Sequence, residues 1–273
     1  MRILVCVKQV PDPEAPVGIA RDGLSLSVGD GDWRMNRFDE FAVEEALRMR
    51  EAGASGIVEA VTVGPARAAA VLRRALAMGA DEGLHILCGE EGRLPGDVAA
   101  WIAAAVRGRG DDLILTGAMS EDAMHAQTGP ILAERLGLPC ATAVIAARLL
   151  PDAAAGPSGQ SGTGGNRLRP SFIRVERELE GGLREALELP LPAVIAVQSG
   201  INRPRYPALS HVLRARSQLL HTVSVEALPA PPRRERVVGL AWAAPSGKTL
   251  FLAGTPGQKA DRLAALLGEK ALL

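Results

Sequence analysis

The polar loop GAMSEDAMHAQTGP, from Gly117 to Pro130, gathers more chemically capable side chains than any other stretch of this chain. Ser120, Asp122 and His125 are the residue types of a nucleophilic triad. Three members crowded on one loop rarely orient as nucleophile, base and orienter, and no G-x-S-x-G elbow surrounds the serine, so acyl-transfer chemistry is not expected. Anion binding suits the loop better. It leaves an apolar run and opens a helix, where main-chain N–H groups, the Gln127 amide and the Thr128 hydroxyl can receive phosphate oxygens without a lysine. The plainer alternative is a polar loop with a helix cap. The string SGKT (Ser246 to Thr249) mimics the end of a P-loop, but the first glycine of that motif would have to stand at Trp242. No G-x-G-x-x-G follows the first apolar run, and His85, His125, His211 and His221 are scattered without metal-ligand spacing. No catalytic residue and no metal ligand is assigned.

A second segment, NRPRYPALSHVLRAR (Asn202 to Arg216), suggests a surface for a partner. Two prolines restrict the backbone around Tyr206, and Leu209 leads a short basic helical stretch, which suits a stiff apolar knob. A rigid structural turn is the plainer alternative.

The elements that must hold these segments follow from periodicity. Short β-branched runs at Ile3 to Val7, Ile57 to Val63, Leu84 to Leu87, Asp112 to Thr116 and Ala141 to Ile145 read as buried strands. Helices alternate with them. Asn36 is placed to cap a helix that Gly53 ends. Ala66 to Met78 is stopped by Gly79, Asp97 to Arg107 follows, and Gln127 to Leu136 is closed by Gly137. This alternation predicts an α/β fold, mainly a parallel sheet with helices on both faces, and a ligand crevice beyond the carboxyl ends of the strands after Val7, Val63 and Thr116. Pro151 to Pro170 lacks periodicity and is rich in Gly, Ser, Pro and Ala, which predicts a flexible insertion at a hairpin tip. Arg174 to Glu180, Gly182 to Leu189 and Ala193 to Val197 are expected to finish the sheet as an antiparallel edge. PAPPRRER (Pro229 to Arg236) reads as a linker, followed by a strand near Leu250 and a helix from Pro256 to Leu267. The expected domains are 1–228 with the insertion at 151–170, and 229–273 as linker and arm.

Lys+Arg and Asp+Glu both number 31, so the chain lacks the overall charge footprint that nucleic-acid binding or membrane-surface attachment requires. Cys6, Cys88 and Cys140 are widely spaced and lie in apolar segments, as buried thiols of a reducing compartment do. No apolar run reaches the roughly 18 residues of a spanning helix, and the expected location is cytoplasmic, or the mitochondrial matrix if the source is eukaryotic.

The opening ILVCVKQVPD, then NRFDEFAVEEALRMREAG, VTVGP followed by RRALAMGADEGLHIL, VERELEGG and INRPRYPAL closely resemble the electron transfer flavoprotein beta subunit, or FixA family. These segments occur in family order over nearly the whole chain. The resemblance implies an adenine-nucleotide-hydrolase-like fold and an electron carrier subunit rather than an enzyme. It also implies a heterodimer whose alpha subunit carries the redox FAD, with a C-terminal arm of this chain packing on that partner. The nucleotide on this chain is implied to be AMP, or a second FAD in the electron-bifurcating form. The implied partners are an acyl-CoA or other dehydrogenase as donor and a quinone oxidoreductase or ferredoxin as acceptor. Carried over position by position, the nucleotide contacts are Cys6, Asn36, Val63, Gly64, Gln127 and Thr128, and Phe38 falls near the alpha-subunit flavin. AMP-type members place Asp and Asn where this chain has Ala123 and Ala126. The bifurcating pattern D-G-D-T-A-Q-V-G fits Asp122, Ala126, Gln127 and Gly129 but departs at Met124, His125 and Thr128. Leu209, with Arg205 and Tyr206 before it, matches the family's recognition loop for dehydrogenases, and Arg214 stands where some members have a methylated lysine. A competing reading is a stand-alone nucleotide-binding or hydrolysing protein of the stress-protein type.

Overall fold

Apolar residues occupy every position of the first strand except its first, and this sets the centre of a sheet covered on both sides. The computed structural model describes residues 1–53, 56–89, 94–151, 170–229, 234–243 and 249–270. Strand β1 (Arg2–Cys6) is followed by two small antiparallel pairs, β2 (Gln9–Pro11) with β5 (Trp33–Met35), and β3 (Gly18–Ile19) with β4 (Leu26–Ser27). Then come α1 (Arg37–Glu51), β6 (Ile57–Gly64), a 3-10 turn at Ala66–Ala68, α2 (Ala69–Met78), β7 (Glu82–Leu87), α3 (Pro95–Val106), β8 (Leu113–Gly117) and α4 (Thr128–Leu136). The chain continues through β9 (Cys140–Pro151), β10 (Pro170–Glu178), β11 (Arg184–Pro190), β12 (Ala193–Val197), α5 (Leu209–Ser217), β13 (His221–Ser224) and α6 (Pro256–Glu269).

The main sheet has nine strands among the described residues, in the order β11-β10-β9-β12-β8-β1-β6-β7-β13. Pairing is parallel from β9 to β13 and antiparallel only at β9–β10 and β10–β11. Ile3, Val5, Leu113, Leu115 and Ile195 face α1 and α2, whereas Leu4, Ile114 and Val194 face α3 and α4. The period of two along each strand therefore feeds two separate cores. From β1 the chain moves one way to β6 and β7, then returns to lay β8 on the other side of β1. The strand order thus reverses between β1 and β8, and such a switch point opens a crevice at the carboxyl ends of the strands.

Several elements differ from the sequence expectation. Ala193–Val197 is not an antiparallel edge; it runs parallel between β9 and β8 with all five residues buried. The uninterrupted apolar AVIAV suits a strand covered on both faces, and its nearness in sequence to the hairpin was a poor guide to its partners. The single helix expected over Ala66 to Met78 starts as the separate 3-10 turn. Residues 249–253 form no strand. His221–Ser224, not foreseen, adds a parallel edge beside β7. Most of the 151–170 insertion lies outside the described residues. The chain divides into two compact units, Met1–Gly239 and Leu240–Leu273. Within the second, Thr255 and Gln258 form a capping box at the start of α6, which satisfies two main-chain donors reciprocally.

At the amino ends of the central strands, Glu59 is 1% exposed and receives both Arg2, at 2.6 Å, and Arg109. Burial of that carboxylate is tolerable because two guanidinium groups replace its water. The central placement of β12 is open to test: Ile195→Ala should cost about 2–5 kcal/mol in urea unfolding, as expected for a buried cavity. Leu187→Ala on the half-buried edge strand β11 should cost less than half of that, and equal losses would contradict the strand order.

Candidate functional site

The crevice at the β1–β8 switch point is built from the amino end of α1. Asn36 and Asp39 occupy the cap and third positions of this helix, where their types would normally close a cap on the helix itself. Neither does so. The Asn36 side chain donates to the Met119 carbonyl at 2.9 Å and accepts from the Glu121 N–H at 3.1 Å. The buried Asp39 carboxylate accepts from the Lys8 N–H at 2.7 Å and from the Gly117 N–H at 3.0 Å. One helix turn therefore joins the residues that follow β1 to those that end β8.

Ion pairs hold the front of the 117–130 loop further. Lys8 Nζ lies 2.6 Å and 2.8 Å from the Asp122 carboxylate oxygens and donates to Ser120 Oγ at 3.1 Å. Glu121 receives Arg34 at 3.0 Å and the Arg37 N–H at 3.1 Å. Beyond Asp122 the loop is exposed through Gln127, and Met124 and Ala126 both have φ of 53°, the left-handed region that non-glycine residues adopt at a cost. Then α4 starts. Gln127 stands at its N-cap position without a side-chain cap, and no acidic residue lies in its first turn. Bare N–H groups and the positive end of a helix dipole favour an anion.

Local packing explains two glycines. A Cβ on Gly117 would strike the Asp39 carboxylate and lie 2.7 Å from Phe38 Cβ, and one on Gly129 would lie 2.7 Å from Thr116 Oγ1. That Thr116 hydroxyl is buried and has no hydrogen-bond partner, so a polar group orphaned at the carboxyl end of β8 remains available to a ligand.

Electrostatics separate the two carboxylates. Burial pushes Asp39 up to about 7, although the N–H groups of Lys8 and Gly117 and the Asn36 side chain oppose the rise. Burial also acts on Asp122, but pairing with Lys8 outweighs it and holds this carboxyl below the usual range. The Cys6 thiol is pushed far up, by burial first and then by Asp39 and Asp111. It is a buried core thiol, not a nucleophile.

The structure brings Cys6, Asn36, Phe38, Asp122, Gln127 and Thr128 to the carboxyl-end side of β1 and β8. Val63 and Gly64 end β6, where the Gly64 carbonyl accepts from the Cys88 N–H at 3.1 Å and from His85 Nε2 at 3.0 Å. Tyr206 and Leu209 lie elsewhere and are strongly exposed, at 89% and 73%. Arg205 is turned inward onto α1. Ser120 and Asp122 are engaged with Lys8, so they do not form a triad with His125. Ser246, Gly247 and Lys248 of the P-loop mimic lie outside the described residues. No group of three or more His, Cys, Asp or Glu among the described residues could hold a metal, and no helix there is long and apolar enough to cross a membrane. Lys8, Arg34, Asp39 and Glu121 were not singled out from sequence as site residues. The available signal was an acid, Asp39, on the side of α1 whose neighbours Ala42 and Val43 are core residues.

A family model described as Electron transfer flavoprotein domain matches residues 25–228. The chain is 35% identical over 266 residues to the mitochondrial electron transfer flavoprotein subunit beta of Oryza sativa subsp. indica, covering 96% of this chain and 97% of that protein. It is 35% identical over 219 residues to the electron transfer flavoprotein subunit beta of Bradyrhizobium diazoefficiens, covering 80% and 79% of the two chains. The Homo sapiens subunit beta is 34% identical over 226 residues, covering 82% and 81%.

Two measurements test the site's construction. An unfolded Asp titrates near 3.8, so between there and about 7 the folded chain binds more protons through Asp39 than the unfolded chain does. Stability from this group therefore falls as pH rises through that window and levels off above it. Urea unfolding of Asp39→Asn should lack this component, so the native protein loses stability relative to the variant from pH 4 to 7; a constant difference would refute the titration. Separately, Gly117→Ala should lower stability by about 1–3 kcal/mol through overpacking. Gly96→Ala in α3, where a Cβ meets nothing within 4 Å, should leave thermal unfolding unchanged or slightly improved.

Proposed function

Because this chain belongs to the electron transfer flavoprotein beta-subunit family, we propose that it binds AMP in the β1–β8 crevice and supports electron transfer through FAD held mainly by the alpha subunit. The observation that carries the nucleotide reading is the uncapped start of α4 beside a loop pinned to α1. The residues present fit a phosphate. The helix start has no acidic residue in its first turn, and the nearby Asp122 is neutralised by Lys8. Gln127 and Thr128 would hold the phosphate, Thr116 offers a hydroxyl, and Cys6, Val63 and Gly64 would line the pocket. Ala123 and Ala126 remove two polar side chains that AMP-type members supply, so main-chain N–H groups carry more of the binding here.

When bound, FAD supplies the redox chemistry. This chain positions it: Phe38 on the first turn of α1 would face the alpha-subunit flavin, and the same turn holds the nucleotide loop. Residues 1–228 form the nucleotide-binding domain and 229–273 the linker and arm. Exposed Trp242, Leu250 and Phe251 support an arm whose apolar side chains are covered by the alpha subunit. Tyr206 and Leu209 form the knob that meets an acyl-CoA or other dehydrogenase. A small anchor gives specificity without a large buried area, so the donor can leave quickly after each transfer. A quinone oxidoreductase or ferredoxin takes the electrons on. The setting is the cytoplasm, or the mitochondrial matrix in a eukaryote.

The test is the flavin and AMP content of the chain purified with its alpha subunit. One FAD and one AMP per heterodimer is the expected result. Two FAD and no AMP would replace this reading with the electron-bifurcating one, and an empty beta site would end the nucleotide assignment.

A further inference from the structure

Residues 201–207 carry the knob, yet they make no main-chain to main-chain hydrogen bond among the described residues. Main-chain bonding therefore does not orient this segment, although Ile201 packs on the core and Pro207 is buried; Tyr206 projects from it, and Leu209 from the start of α5, into solvent. Its polar hold is a set of side-chain bonds to α1. Asn202 Nδ2 donates to the Phe41 carbonyl at 3.0 Å and to Glu45 at 2.9 Å. Arg205 uses its main-chain N–H, Nε and Nη2 on Glu44, at 3.1, 2.8 and 3.0 Å. It also forks onto Glu51 at 2.6 and 3.1 Å. Glu44 and Glu51 lie seven apart on α1, two turns along one face, so the planar guanidinium spans both carboxylates. Four of the five guanidinium N–H donors are engaged in this way.

From this we infer that Arg205 is a positioning residue for dehydrogenase docking: it touches no partner and acts by fixing the orientation of the Tyr206–Leu209 knob against α1. The inference rests on the proposed role of Leu209. Two features reinforce it. Prolines 204 and 207 bracket the clamp, so fixing Arg205 transmits through a stiff backbone to Tyr206 and onward to the start of α5. The Tyr206 ring has a weaker hold of its own, with Arg74 5.4 Å from its centroid and Arg74 in turn 3.4 Å from Glu40 of α1. With the clamp released, the knob samples many orientations and only a fraction of them fit the partner's pocket. Apparent affinity then drops by that fraction, while the electron-transfer step in the docked complex is unchanged.

The experiment is a double-mutant cycle on the heterodimer, following anaerobic reduction of its flavin by an acyl-CoA dehydrogenase that has been reduced with its substrate. Leu209→Ala should slow the reaction. Arg205→Gln should raise the KM for the flavoprotein about tenfold with little change in kcat, and should add little further loss in the Leu209→Ala background. Glu51→Gln removes half of the clamp without stranding a buried charge; it should give a smaller effect in the same direction and carries the test if Arg205→Gln does not assemble. Additive losses, or a clamp variant that lowers kcat with KM unchanged, would overturn the positioning role. Clamp variants with native kinetics while Leu209→Ala remains slow would overturn it and leave the docking assignment standing. Native behaviour of Leu209→Ala, or no transfer to the unaltered heterodimer, would remove that assignment and this inference with it.

Discussion

A parallel sheet whose strand order reverses leaves two neighbouring strand ends that diverge, and here a single buried carboxylate ties them together. Asp39 accepts one N–H from the chain leaving β1 and another from the end of β8. Those two strands are paired along their length, and Asp39 extends their connection beyond the last paired residues. The arrangement carries a cost. Burial works against the charge and outweighs the N–H groups that favour it, and so the carboxyl titrates at about 7. The glycine at 117 follows from the same contact, because no Cβ fits between Phe38 and Asp39.

Helix α1 also serves a second surface. It is buried over much of its circumference: Phe41, Ala42, Ala46 and Leu47 face the sheet core, whereas Glu44 and Glu45 are covered by the 201–207 segment. Buried acids require partners, and the segment supplies Asn202 and Arg205. One element therefore holds the 117–130 loop at its first turn and the 201–207 segment along its later turns.

The two ends of the sheet divide the work. At the amino ends, Arg2 and Arg109 close on Glu59 and secure the strands. At the carboxyl ends, charges are paired more openly, as with Lys8 and Asp122, and the first turn of α4 is left uncapped. The buried Thr116 hydroxyl, without a hydrogen-bond partner, also lies at this second end.

Much of the molecule was legible in sequence. Apolar runs in β1, β6 and β8 and the glycines after α2 and α4 specify elements through local propensity and burial, which depend on neighbours a few residues away. The start of α4 at Thr128 was legible for the same reason, since a loop opening a helix is a local pattern. The sequence also carried the family segments from ILVCVKQVPD to INRPRYPAL, and the comparisons agree with them. Strand order was not local. AVIAV follows a hairpin in sequence yet lies between β8 and β9, because its fully apolar pattern demands cover on both faces and only the sheet interior supplies it. Asn36 was expected to cap its own helix, but its side chain instead holds residues 119 and 121, more than 80 positions away. Nor did spacing show that the fold brings Glu44 and Glu51 to Arg205, more than 150 positions away. The sequence by itself determined which segments are apolar, where helices stop and which polar groups exist. Only the tertiary structure decided which of those polar groups meet, because a hydrogen bond or ion pair depends on a distance of about 3 Å that no spacing along the chain encodes.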